Sequence, residues 1–330
     1  MSDPADKPAA LGEFGRIARF FAPLAAGAPG ALGLTDDAAL IECPPGERLV
    51  VTVDAMVEGV HFLSRDPPDL IARKLVRVNL SDLAAMAARP VGYFLTTALP
   101  KSHGDDWLAG FAAGLAQDQA EFGVTLLGGD SVSTPGPVTL TLTAFGRVAV
   151  GGEVRRGGAR PGDLVFVSGT IGDGALGLDA AQGKLDGVLA PADIAFLADR
   201  YRLPRPRVGL GPRLSGLASA MMDISDGLAG DLGHICEVSG VSGVIEATRV
   251  PLSAAAAKLP DRLATVLTGG DDYELLFTAA SDHQPAIQAA ADTAGVPVAV
   301  IGRIEAGQGV CVRDAAGADI VLDGVGWRHF

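Results

Sequence analysis

Aromatic residues are scarce: two Trp, three Tyr and twelve Phe in 330 residues. With 48% of the chain apolar, its interior must rest on Leu, Val, Ile and Ala instead. Cysteine is rarer still. Cys43, Cys236 and Cys311 are odd in number, widely spaced and without a C-x-x-C pair, which excludes a disulfide framework and a zinc site and makes a reducing cytoplasm the expected location. Lys and Arg total 26 against 39 Asp and Glu, a net charge of −13, the wrong sign for a nucleic-acid surface. No apolar run approaches the roughly 20 uncharged residues of a membrane-spanning helix. Asp3, Asp6 and Lys7, followed by Glu13, Arg16 and Arg19, break the start of the chain in a way a secretory signal does not. A cytoplasmic protein without nucleic-acid or membrane partners is expected.

The length exceeds what one hydrophobic core usually fills, so two domains are expected. Helix-like and strand-like patterns alternate throughout, the mark of an α/β or α+β architecture. The patterns predict helices over 13–21, 69–86 and 105–121 and strands over 49–53, 91–98 and 138–148. The Gly-rich, turn-forming segment 150–163 places a domain boundary at residue 150, giving domains 1–150 and 151–330. Beyond it the patterns predict a strand over 164–168, one ending at Asp223, a helix from Leu228 towards Glu237, and strands over 273–279 and 298–304 with a helix between.

What the chain has in abundance is aspartate just after apolar stretches. Asp54 follows 49–53, Asp130 follows 124–127 through Gly128 and Gly129, Asp223 follows Met222, and Asp271 and Asp272 follow 263–267 through Gly269 and Gly270. Strand ends in α/β sheets form ligand crevices, which gives these positions their interest. Asp36 and Asp37 precede another apolar run, Asp226 follows Asp223 closely, and Asp82 lies on an otherwise apolar helix. Singly, each reads as a turn or cap residue. If several converge, each pair at ~4 Å repels by about 4 kcal/mol at an effective dielectric near 20, so cations must accompany them. Oxygen donors without nearby His or Cys point to Mg²⁺, and several Mg²⁺ ions beside this many carboxylates point to polyphosphate and phosphoryl transfer.

Generic nucleotide motifs do not account for this. Gly172-Asp173-Gly174-Ala175-Leu176-Gly177 fits G-x-G-x-x-G, but the acidic residue ending a second strand about 20 residues on is missing. No G-x-x-x-x-G-K-[ST], G-x-S-x-G or H-E-x-x-H occurs.

Six motifs, in order, resemble those of the thiamine-monophosphate kinase family: Thr35-Asp36-Asp37-Ala38-Ala39, the stretch Asp54 to Phe62, the stretch Val78 to Met86, Leu127-Gly128-Gly129-Asp130, Asp223-Ile224-Ser225-Asp226-Gly227-Leu228, and Gly269-Gly270-Asp271-Asp272-Tyr273-Glu274-Leu275. The resemblance runs from about residue 12 to Trp327. It implies the two-domain aminoimidazole-ribonucleotide-synthetase-like fold, with an N-terminal mixed sheet joined across a homodimer and a C-terminal α+β domain completing the active site. It also implies that ATP phosphorylates thiamine monophosphate to thiamine diphosphate, with several Mg²⁺ ions assisting. Carried over by position, Asp36, Thr52, the Val53 carbonyl, Asp54, Asp82, Asp130, Asp223 and Asp226 would hold Mg²⁺. Gly129, Asp130, Arg156 and Ser225 would meet ATP, with Asp130 and Arg156 catalytic, and His61, Asp271 and Trp327 would face the thiamine phosphate.

Each role has a physical basis: a phosphate donor in His61, a cation–π face in Trp327, a countercharge to thiamine in Asp271, and neutralisation of the transferring group by Arg156. Two positions depart from the family pattern. Val53 replaces a hydroxyl residue, and Asp271 replaces the commoner Glu, one methylene shorter. The superfamily's selenophosphate synthetases and hydrogenase-maturation proteins use a reactive Cys near the N-terminus or at the C-terminus; Cys43 is not in a Gly-rich loop and the tail Gly326 to Phe330 has no Cys. The purine-pathway synthetase is a third relative, and a non-catalytic ATP-binding or thiamine-phosphate-binding scaffold is the alternative from another class.

Overall fold

The computed structural model describes residues 12–322. Within them the chain forms two compact units, one built from 12–42, 53–76 and 91–145, the other from 43–52, 77–90 and 146–322.

The chain begins with α1 (Glu13–Arg16), a π-helical turn over Ile17–Phe21 and α2 (Ala22–Ala25), so the expected helix is present but locally widened. β1 (Glu47–Val57) and α3 (Pro68–Ala85) follow, then β2 (Arg89–Leu99), α4 (Asp105–Phe122), β3 (Thr125–Ser133) and β4 (Thr139–Ala149). α4 carries Asp105 and Asp106 in its first turn, where they complement the helix dipole. It stops at Gly123, whose left-handed conformation returns its N–H to the Gln119 carbonyl. α4 also provides the crossover that lets β2 and β3 pair in parallel. The sheet order is β1-β4-β2-β3. β4 buries Leu140, Leu142, Ala144 and Val148 at every second position. β1, at a sheet edge, does the opposite with Leu49, Val51 and Val53, which are exposed in a row.

The remaining elements are β5 (Leu164–Ser168), α5 (Asp173–Ala181), α6 (Pro191–Arg202), β6 (Ala220–Asp223), α7 (Leu228–Ser239), β7 (Ser242–Glu246), α8 (Leu263–Thr268), β8 (Leu275–Ala279), α9 (Gln284–Ala294), β9 (Val298–Glu305) and β10 (Gly309–Arg313). Their strands make a mixed sheet ordered β10-β7-β9-β5-β8-β6, antiparallel except for the β10–β7 pair. β8 is buried along its whole length. Phe166 of β5 and Phe277 of β8 are register partners and stack at 5.0 Å, in a core with Leu210, Leu214, Met221 and Ile287. Two sheets with helices, one of them mixed in direction, are thus present, in keeping with the α/β and α+β character expected.

Three expectations about the aspartates need correction. Asp54 lies within β1 and Asp130 within β3, so neither stands beyond a strand end. Gly128 and Gly129 do not end β3, because glycine is what lets it continue: a Cβ at Gly129 would strike the Leu95 carbonyl of β2. The apolar run before Gly269 is α8, not a strand; so short a run fits either period. Asp223 alone of these ends a strand as expected.

A buried charge network joins the elements of the second unit. Glu274, fully buried, accepts from the Ser168 hydroxyl at 2.6 Å, from Arg200 at 3.1 Å, and from Arg207 through both of its oxygens. Its neighbour Asp272 accepts the N–H groups of Gly172 at 2.7 Å and Gly174 at 2.9 Å, at the start of α5. The glycine pattern that imitates a dinucleotide motif therefore receives an internal carboxylate where such a motif receives pyrophosphate. Burial pushes Asp272 up to about 8 from an ordinary 3.8, assisted by Asp173 and opposed by the two N–H groups and Arg200.

Removing the Glu274 charge leaves two arginines without their shared partner. Glu274→Gln is expected to lower unfolding stability by about 3–5 kcal/mol, read from the denaturant midpoint at constant slope. Asp272 binds its proton more tightly folded than unfolded. Its contribution to stability is thus fully present below pH 4 and is lost as the pH rises through about 8. Unfolding of Asp272→Asn should show a flatter pH profile between 4 and 8 than the parent chain.

Candidate active site

At the end of β6, residues 223–227 run against residues 268–274, backbone to backbone. Ile224 N–H donates to the Glu274 carbonyl at 2.9 Å, Tyr273 N–H to Ile224 at 2.8 Å, and Asp271 N–H to Ser225 at 2.9 Å. Such an approach excludes side chains. A Cβ on Gly270 would collide with the Ser225 carbonyl, and Gly227, at φ 122°, faces the Thr268 carbonyl. Asp271 (φ 69°) and Tyr273 (φ 52°) occupy the left-handed region without being glycine, a cost of roughly 1–3 kcal/mol each that persists only where the surroundings over-determine the backbone. Here the buried anchors Asp272 and Glu274 alternate with them, so Asp271 points where the network directs it. The Tyr273 hydroxyl donates to Asp271 Oδ1 at 3.1 Å.

Around Arg156, exposed on the segment after β4, the same unit gathers carboxylates. Asp82 of α3 accepts the Thr52 hydroxyl at 2.5 Å. Its carboxyl is held above the usual range by burial, opposed by that hydrogen bond and by the Arg156 charge. Asp231, in the first turn of α7, accepts the N–H groups of Asp226 (3.2 Å) and Gly227 (3.1 Å) through Oδ2. Burial and the Asp226 charge push it up to about 7, against the pull of these N–H groups and Arg156. Its Oδ1 is buried without a hydrogen-bond partner.

In the other unit, a cavity of about 190 Å³ is lined by Asp36, Gly129 and Asp130, with Phe21, Phe94 and Leu127. The register of β2 on β3 slips beside Leu127, so that Tyr93 faces Leu126 and Phe94 faces Gly128. This bulge re-aims the strand just before Gly129 and Asp130. Asp130 is exposed, and its Oδ1 accepts the Ser131 N–H at 2.8 Å. Asp54 and His61 belong to β1 and the turn after it, outside that cavity lining. Trp327 lies outside the described residues.

The sequence-derived set therefore gathers in two places: Thr52, Asp82, Arg156 and Asp226 in one, Asp36, Gly129 and Asp130 in the other. Ser225 and Asp271 are held together by their backbones, and Asp223 is buried at the end of β6. Among the described residues, no three His, Cys, Asp or Glu stand as a ready-made metal cage. The donors are nevertheless oxygens only, and Asp231 keeps a buried oxygen unpartnered beside the charge of Asp226. That set fits a hard cation that completes its shell with water and substrate oxygens, as Mg²⁺ does. Sequence reasoning missed Asp231, and it gave Asp272 and Glu274 a place in a motif but no anchoring role. The available signal for Asp231 was its place four residues after a Gly at a helix start, within reach of the first N–H groups.

The fold and these carboxylate-lined segments define a two-domain AIR synthase related protein: residues 35–148 match the family model of its N-terminal domain and residues 160–314 that of its C-terminal domain. A curated thiamine-monophosphate kinase from Caulobacter vibrioides is 44% identical over 336 residues, covering 99% of this chain and 94% of the relative. The chain belongs to the thiamine-monophosphate kinase family, whose members are phosphotransferases. The crystal structure of thiamine-monophosphate kinase from Stenotrophomonas maltophilia is similar, with a TM-score of 0.78 at 42% identity over 84% of this chain and 89% of that one. The complex of AaThiL with AMPPCP and TMP gives 0.77 at 30% identity, over 89% and 91%.

Gly270→Ala forces the 223–227 and 268–274 segments apart. A fall in kcat/KM of about 10²-fold, with the far-UV circular dichroism unchanged, is the expected outcome.

Proposed function

We propose that this chain transfers the γ-phosphoryl group of ATP to thiamine monophosphate, giving ADP and thiamine diphosphate. The observation that carries the reading is that Asp82 and Asp231 both feel the exposed cation of Arg156, with Asp226 bonded to Asp231 through its N–H, in the unit whose 271–274 segment is locked in a strained conformation. The AaThiL complex supports the choice of substrates, since AMPPCP is an ATP analogue with a carbon β–γ bridge and it is bound there together with TMP.

The roles follow the chemistry of each group. Asp36, Thr52, the Val53 carbonyl, Asp54, Asp82, Asp130, Asp223 and Asp226 would hold Mg²⁺, which supplies neutralisation of the polyphosphate charge when bound. Gly129 and Ser225 border ATP. Arg156 meets the transferring group and offsets the charge that develops on it. His61 and Asp271 would face thiamine phosphate, Asp271 as a countercharge to the thiazolium, and Trp327, outside the described residues, would offer its ring to the cation. The acceptor oxygen of thiamine monophosphate is already anionic, so no strong general base is needed. It attacks the γ-phosphorus in line, the bond to the β–γ bridging oxygen breaks, and ADP departs with that electron pair. No phosphoenzyme forms.

Our reading includes a homodimer and a cytoplasmic location. The row Leu49, Val51 and Val53, exposed on β1, supports the dimer: an apolar strand at the sheet edge among the described residues invites a second copy.

The test is chromatographic. ATP, Mg²⁺ and thiamine monophosphate should yield thiamine diphosphate, and product should vanish with chelator and fall by at least about 10²-fold in Asp130→Asn. Absence of product with the parent chain, or a labelled phosphoenzyme, would overturn the proposal.

A further inference from the structure

β1 ends in a tight turn that carries His61. Val60 and His61 N–H groups both return to the Val57 carbonyl, at 3.1 and 2.9 Å, and Gly59 N–H returns to Phe62 at 2.8 Å. Gly59 sits at φ 81°, which the turn requires. Three anchors hold this turn from outside. Glu58 exchanges two hydrogen bonds with Val138, through its N–H (2.9 Å) and its Oε2 (3.1 Å). Phe62 is buried. From α3, the Lys74 ammonium donates to the His61 carbonyl at 3.0 Å, and Lys74 is itself only 3% exposed.

The imidazole is fixed separately. Val57 N–H donates to His61 Nδ1 at 3.0 Å, so Nδ1 carries a lone pair and the proton of the neutral ring is on Nε2. The half-buried ring thus has Nε2–H as its N–H group. Burying an ammonium is costly unless it is hydrogen-bonded, and an apolar side chain would fill the same position on α3 without that cost. Among what lysine adds is a charge-assisted hydrogen bond to the main chain that carries the ring.

We propose that Lys74 is a positioning residue for His61: it holds the 57–62 turn so that the ring, set as the Nε2–H tautomer by Val57 N–H, donates to a phosphate oxygen of thiamine monophosphate. This rests on the reading of His61 as a substrate-facing residue. No role in this has been given to Lys74 by any motif in the sequence, and Lys74 touches no reacting atom.

Two measurements test it. Long-range ¹H–¹⁵N spectra of the whole protein without substrate should show His61 with an unprotonated Nδ1 and a protonated Nε2; a protonated Nδ1 overturns the proposal whatever the variants do. In kinetics, Lys74→Met should raise KM for thiamine monophosphate about tenfold, the loss of one charge-assisted hydrogen bond, with KM for ATP within about twofold of the parent. Lys74→Arg should recover most of the loss. Equal changes for both substrates, or a lower Tm with both KM values unchanged, would reduce Lys74 to a packing role and overturn the proposal. His61→Gln should be milder than His61→Ala, because its amide can accept from Val57 and donate outward. An unchanged KM for thiamine monophosphate in His61→Ala would sink the substrate-facing reading itself, a failure the tautomer spectra distinguish.

Discussion

The geometry at the ends of β6 and β8 depends on one buried carboxylate. Glu274 is shared by Ser168, Arg200 and Arg207, which arrive from β5, α6 and the segment after it. A buried ion network of this kind adds little net stability over an apolar replacement, but losing one member is expensive. Its value here is conformational. Two non-glycine residues in left-handed backbone, Asp271 and Tyr273, would relax if the residues between and beyond them were free to move. Asp272 and Glu274 prevent that by fastening alternate positions of the same segment to opposite partners.

The surroundings of Arg156 show a different balance. Asp82 and Asp231 are brought near one exposed guanidinium, Asp226 lies beside Asp231, and burial raises Asp82 and Asp231 above their usual range. A chain with net charge −13 that handles polyphosphates places anions next to anions. The arrangement is stable only as far as fixed N–H groups, the Thr52 hydroxyl and Arg156 offset the repulsion. The Glu274 network differs in kind: there both carboxylate oxygens are met by arginine.

Much of this was legible in the sequence. The strand over 164–168 was predicted with its exact bounds, and the long helices and β4 within a few residues, because their periods are clean and their ends carry Gly, Pro or Asp. The family was legible from six motifs in order, since no single motif was decisive. β7 and β10 escaped notice, being strands of only five residues, too short for a clear period. So did the anchors: nothing local distinguishes Glu274 from a surface glutamate, because its partners are separated from it by 67 residues or more. The placement of Asp130 was misjudged for a related reason. Glycine ordinarily ends a strand, and only the neighbouring strand's carbonyl at Gly129 reveals that here it permits one to continue.

The bulge at Leu127 has a consequence for how this strand can evolve. Leu126 and Leu127 are both buried, and Gly129 and Asp130 are both exposed, so the alternation of faces is reset once within nine residues. Apolar contents and an acidic rim are thereby drawn from one continuous segment whose phase is fixed by a single additional residue. Exchange of Leu127 for another aliphatic side chain preserves that phase, whereas gain or loss of one residue at this point inverts everything downstream. Along β3, chain length is a stricter constraint than residue identity.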